Sequence, residues 1–162
     1  MKRVSVDPGQ STGVAIWGTH DWGRVSAPVA TARIGPSTPK GTWDLKAQEV
    51  AEEFRNVIWN FRRLSHCYIE MPQLFGGSGT AAAGTQSITK LAVLVGMLAR
   101  VARESKIEVV LIPVTEWKGM MPKKLVHARM KQIMGQQEYD RLGGQHDVLD
   151  AVAIGLYAKG VL

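Results

Sequence analysis

The sequence predicts one α/β domain built on a mixed five-stranded sheet with helices on both faces. Three observations predict it. β-rich runs come first and in succession, near residues 3–7, 13–17 and 24–34. After them, strand-like and helix-like segments alternate, which implies helices packed over a sheet. The stretch 107–112 is a continuous apolar run broken only by Glu108, as expected in the middle of a sheet. At 162 residues the chain suits a single domain spanning 1–162, long enough to bury a core without disulfides or a structural metal. No internal repeat, low-complexity tail or long linker divides it.

The first two runs flank Pro8-Gly9-Gln10-Ser11-Thr12, a turn-forming sequence, and read as a hairpin that the third run extends into a meander. Gly35 to Gly41 is a loop. Thr42 is placed to cap a helix running to about Leu64, with Leu45, Val50, Phe54, Val57, Ile58 and Phe61 at helical spacing. The strand Cys67 to Glu70 follows, then a Gly- and Ala-rich stretch from Pro72 to Gly84 whose composition predicts mobility. A second helix from about Thr85 to Ser105 is apolar on more than one face, which a helix-mediated homodimer or a doubly packed core helix would explain. Pro122 is suited to the first turn of a third helix that ends before Gly135, and a last helix runs from about Asp147 to Lys159.

Lysine and arginine exceed aspartate and glutamate by 20 to 14, a formal charge of +6, which suits a polyanionic partner. The basic residues cluster at Arg62-Arg63 and across Lys118 to Lys131, away from most of the acidic candidates. The single cysteine, Cys67, reads as a core residue in a reducing compartment. No signal peptide is evident, and Leu91 to Ala102, interrupted by Gly96 and Arg100, is too short to span a bilayer, so a cytoplasmic protein without a membrane partner is expected. His20, His66 and His127 show no ligand spacing, which argues against zinc, and there is no Walker loop or nucleophile elbow.

Four carboxylates stand where the backbone presents them. Asp7 ends the first strand before the Pro-Gly turn, and Glu70 ends the fourth before Met71-Pro72. Asp147 and Asp150, three apart at a helix start, share one face. If the first and fourth strands are neighbours, all four converge. Oxygen-only ligands of this kind suit Mg²⁺ or Mn²⁺, and two ions about 4 Å apart would activate a water and stabilise the leaving 3′ oxygen of a phosphodiester. Taken singly, Asp7 also fits a turn former and Asp147 a cap. Glu70 has no such role, and burying it unpaired is costly. His146 is a candidate for the metal's surroundings or a proton shuttle.

Asp7-Pro8-Gly9 with Ser11-Thr12-Gly13, then Tyr68-Ile69-Glu70, then Gln145-His146-Asp147-Val148-Leu149-Asp150-Ala151-Val152-Ala153 together resemble the RuvC family of Holliday-junction resolvases, over nearly the whole chain. The resemblance implies an RNase H-like fold and Mg²⁺-dependent paired nicking of four-way DNA by a homodimer. It implies metal ligation by Asp7, Glu70 and Asp150, with Asp147 in a fourth position that some relatives fill with a histidine; His146 stands one step earlier. Val114 to Lys124 resembles the family's basic segment, with Lys118 supporting the scissile phosphate and Lys123 and Lys124 tracking the backbone. Phe75 resembles the aromatic that relatives place against unstacked bases. Trp117-Lys118-Gly119 and the loop 35–41 resemble a virus-encoded branch, which also cuts forks and flaps. An RNA-cleaving relative, a non-catalytic DNA-binding module and an actin-like ATPase are the alternatives; the ATPase would need a second domain and a bound nucleotide, and no nucleotide cofactor is expected.

Overall fold

The protein is represented by a computed structural model that describes residues 1–19, 27–37, 41–72 and 81–162. Its elements are β1 (Lys2–Asp7), β2 (Thr12–Trp17), β3 (Ala30–Ile34), α1 (Trp43–Trp59), β4 (Leu64–Met71), α2 (Ala81–Glu104), β5 (Glu108–Pro113), α3 (Val114–Trp117), α4 (Lys123–Met134), α5 (Gln136–Arg141) and α6 (His146–Ala158). The strands lie in the order β3-β2-β1-β4-β5. β2 pairs antiparallel with β1 and β3, whereas β4 runs parallel to β1 and β5. The sheet is mixed and five-stranded, as the segment order predicts.

Local chemistry explains the pairing. Thr12 closes the first hairpin: its hydroxyl donates to the Gly9 carbonyl (2.9 Å) and accepts from the Gly9 amide (3.2 Å). A parallel pair needs a crossover, and α1 and α2 provide those into β4 and β5. Side chains alternate across the sheet. Val4, Val6, Val14, Ile16, Cys67 and Ile69 pack with Phe54 of α1 and Leu94 and Leu98 of α2. Ala15, Trp17 and Ile112 pack on the other face with Leu149 and Val152 of α6, Met130 of α4 and Trp117.

α6 is seated on β1 and β2 by specific contacts. The buried Ser5 hydroxyl donates to the Ala151 carbonyl (2.7 Å) and accepts from the Trp17 indole (2.9 Å). A Cβ on Gly13 would fall 1.9 Å from the Asp147 carbonyl oxygen, and one on Gly155 would fall 2.3 Å from the Trp17 ring. Only glycine at both positions lets helix and sheet approach this closely.

Several boundaries differ from expectation. α1 stops at Trp59 and Leu64 begins β4, so Phe61 lies in the connection, and Leu45 is exposed rather than part of the buried stripe. Thr42 holds the N-cap position without capping a backbone amide; its side chain bonds Asp44 instead. Pro122 is the extended residue before α4, not part of its first turn. α2 begins at Ala81, ahead of the expected start, because Ala81 to Ala83 are strong helix formers. α3 and α5 were not foreseen. Residues 20–26 and 73–80, which hold parts of the expected third strand and of the Gly/Ala-rich stretch, lie outside the described residues. Among the described residues, no helix is long and apolar enough to cross a membrane.

Candidate active site

The alternation that builds the two cores also aims the acids. Ser5 points to α6, so Asp7, two residues on, ends β1 on the same face. Tyr68 packs on that side, and so Glu70 does too. β1 and β4 are neighbours, as convergence requires; their ladder runs to Val6–Ile69, with Asp7 and Glu70 one residue beyond on each strand. α6 crosses this face and starts at the same end, where Gly13, paired with Asp7, admits the Asp147 backbone. Asp147 and Asp150, in the first turns of α6, complete the group.

The electrostatics reflect that crowding. The Asp7 carboxyl is held well above the usual carboxylate range, first by burial and then by the charges of Glu70, Asp150 and Asp147, with Lys123 opposing. Glu70 is raised chiefly by burial; a hydrogen bond from Trp117 counters it, Asp150 adds to it, and Lys118 and Lys123 oppose. All four acids therefore act at one place.

Glu70, Asp150 and Asp147 each have a specific partner. The Trp117 indole donates to Glu70 Oε2 (2.9 Å). Lys123 Nζ lies 2.6 Å from Asp150 Oδ2, and Arg33 Nε donates to Asp147 Oδ2 at 3.1 Å. His127, one turn after Lys123 on α4, places Nε2 3.8 Å from Asp150 Oδ1, beyond hydrogen-bond distance; among the described residues that buried nitrogen has no hydrogen-bond partner. Burial lowers the basicity of His127. The His146 ring stacks on His127, with centroids 6.0 Å apart, while Asp147 is the neighbour that acts on Asp7.

These contacts correct the sequence reading in one respect and extend it in another. The basic segment is not remote from the acids: Lys123 pairs with Asp150, and the Lys118 charge reaches Glu70. Lys124 is exposed beside them at the start of α4. Arg33, Trp117 and His127 were missed as members of the site. The one available signal was Trp117, since a tryptophan needs an acceptor for its indole N–H when buried. Arg33 reaches Asp147 only because β3 pairs it with Gly13, a relation between distant segments. Phe75 lies outside the described residues.

The donor set suits a hard divalent cation. The candidate ligands are all carboxylates, and a cation would relieve the burial and repulsion that raise Asp7 and Glu70. As the side chains stand, no group of three or more His, Cys, Asp or Glu among the described residues is arranged to hold a metal. Lys123 and Arg33 are the cations paired with the two acids of α6.

No protein-family model matches the chain, and no curated protein matches its sequence. Solved structures do match. Thermus thermophilus RuvC in complex with Holliday junction substrate is similar with a TM-score of 0.71 at 17% identity, covering 99% of this chain and 96% of that one. Fowlpox virus resolvase, with substrate Holliday junction DNA, gives 0.56 at 14% identity with 99% of each chain covered. The yeast mitochondrial Holliday junction resolvase Ydc2 gives 0.56 at 11% identity, covering 98% of this chain and 77% of that one. The chain has the RNase H-like fold that these resolvases share.

Proposed function

We propose that this RuvC-like chain is a divalent-metal-dependent endonuclease that resolves Holliday junctions and cuts other branched DNA, leaving 5′-phosphate and 3′-hydroxyl ends. The observation that carries this reading is the meeting of Asp7, Glu70, Asp147 and Asp150 at one end of β1, β4 and α6, on the fold of three resolvases. These four residues would hold two Mg²⁺ ions, with Mn²⁺ substituting. The bound ions would supply an activated water and stabilise the departing 3′ oxygen.

The chain's own residues account for the rest. Asp7, whose carboxyl feels the charge of all three other acids, would hold a cation in common with them beside the scissile phosphate. Lys118 supports that phosphate, while Lys123 and Lys124 on the first turn of α4 follow the DNA backbone. Phe75 stacks on unpaired bases at the branch point. His146, stacked on His127, serves the edge of the site. Paired nicks call for two sites, so the working form is a homodimer, for which the outer face of α2, with Val93 43% exposed, is the candidate surface. Buried Cys67 suits a reducing cytoplasm, and we place the protein in a bacterial host, encoded by a virus.

The test is a gel assay on a labelled four-way junction beside matched linear duplex, with Mg²⁺, Mn²⁺ or chelator. Metal-dependent symmetric cleavage of the junction, abolished by Asp7→Asn, is expected. Full activity of Asp7→Asn would refute the site, and cleavage of RNA or hybrid in preference to junction DNA would refute the substrate.

A further inference from the structure

We propose that the end of the sheet opposite the acids carries a second nucleic-acid site, a groove that takes a single strand with one base stacked on Trp59 and phosphates on Arg63 and Lys106. β4 runs from this end to the acids, so its length, roughly 23 Å, separates Arg63 from Glu70. α1 stops at Trp59 and α2 at Glu104, and the chain turns from them into β4 and β5. The two helix ends meet there, where Arg55 of α1 bonds Glu104 of α2 at 3.0 Å. Beside them lies an open groove of about 470 Å³, lined in part by Trp59, Phe61, Arg63 and Lys106. A second, of about 780 Å³, shares Arg63, Leu64 and Lys106 with it and continues past His66, so the two form one track.

Charge, backbone and exposure all point to the same ligand. The acids that line the track are engaged: Arg55 and Arg100 hold Glu104 at 3.0 and 2.7 Å, and Glu108 lies 3.2 Å from His66. Arg62, Arg63 and Lys106 are exposed and make no ion pair among the described residues. Arg63 (φ 66°) and Lys106 (φ 59°) are also the only non-glycine residues at positive φ among the described residues. Glycine takes that conformation without steric cost, yet a cation occupies it at both places, where the two grooves join. Helix ends favour cations, which accounts for a basic residue after α2 but not for Trp59. That ring is 82% exposed, whereas Phe54 and Ile58 of the same helix are buried in the core. An aromatic face beside free cations suits a single strand, whose bases are open to stacking; a duplex offers phosphates but hides its base faces. The Arg62-Arg63 cluster has no part in the nuclease site, so this groove stands or falls apart from that reading.

The experiment is fluorescence anisotropy of a labelled oligothymidylate of about 12 nucleotides, within the usual span of such sites, on the full chain in chelator so that nothing is cut. Trp59→Ala should weaken binding at least about 5-fold, the loss of one stacked base. Trp59→Phe, which keeps an aromatic face, should retain most of the affinity. Arg63→Gly combined with Lys106→Gly removes both charges and suits both positive φ values, so the fold is kept. It should lower the slope of log K against log salt by about 1.4, the share of two phosphates on a single strand. None of these changes should alter cleavage of a four-way junction in Mg²⁺. Oligothymidylate binding that is the same in wild type, Trp59→Ala and the double variant would overturn the proposal. So would equal weakening toward a matched linear duplex, which would leave a plain phosphate surface without stacking. A fall in mass by light scattering in Trp59→Ala, with oligothymidylate binding unchanged, would give Trp59 to a second copy of the chain instead. Wild type that binds the oligomer through these residues yet cuts no branched DNA would refute the nuclease and leave the groove standing.

Discussion

Asp7 sits where a carboxylate is least comfortable, and its free-energy cost has a measurable sign. Burial and the three neighbouring acids raise its folded-state pKa above the unfolded value. For an acid shifted in this direction the fold is penalised when the group is charged. The penalty is absent below the ordinary aspartate range, grows as pH climbs from there, and is complete above the raised value. Asp7→Asn removes the charge, so in metal-free buffer near neutral pH it should melt a few degrees higher than wild type, about the shift that 1 kcal/mol or so produces in a domain of this size. The gain should vanish near pH 3. Calorimetry at both pH values checks it, and a variant less stable than wild type at neutral pH would show that Asp7 is not under this repulsion. Glu70 was readable from sequence because it has no turn or capping role. Its pairing with Trp117 was not readable, because 47 residues separate them and only the β4–β5 register joins them.

At the scale of elements, the site depends on how closely α6 lies on β2. Gly13 meets the Asp147 backbone, and any side chain there would have to push the start of α6 away from the sheet. Asp147 and Asp150 move with that turn, so one methyl group displaces two acids at once. Gly13→Ala should lower the melting temperature and cut cleavage at least 100-fold, the loss that about 1 Å of misplacement causes at a reacting centre. Cleavage near the wild-type rate would mean that α6 is not held by this contact. The hairpin, the strand ending in Glu70 and α6 were legible because each has either turn chemistry or a long apolar pattern. α3 and α5 span four and six residues, too short for helical periodicity to register. The start of α4 shifted because Pro122 suits the residue before a helix as well as its first turn.

Across the whole molecule, the +6 charge is not spread evenly around the acids. α4 opens with Lys123 and Lys124, and their states differ. Lys123 is 2.6 Å from Asp150, so in metal-free protein it is already neutralised, while Lys124 is exposed and makes no ion pair among the described residues. Binding of DNA releases counterions in proportion to the phosphates neutralised, and each contact adds about 0.9 to the slope of log K against log salt. In the presence of chelator, Lys124→Ala should therefore lower that slope by about 0.9. Lys123→Ala should lower it by clearly less, since its charge is committed to Asp150. Arg141→Ala on α5, where the arginine pairs with Glu138 at 2.6 Å, should leave it unchanged. Fluorescence anisotropy on a four-way junction across a salt series would give all three slopes. A larger loss from Lys123→Ala than from Lys124→Ala would mean that DNA draws Lys123 off Asp150 before any metal arrives, and an unchanged slope for Lys124→Ala would move the DNA path away from the start of α4.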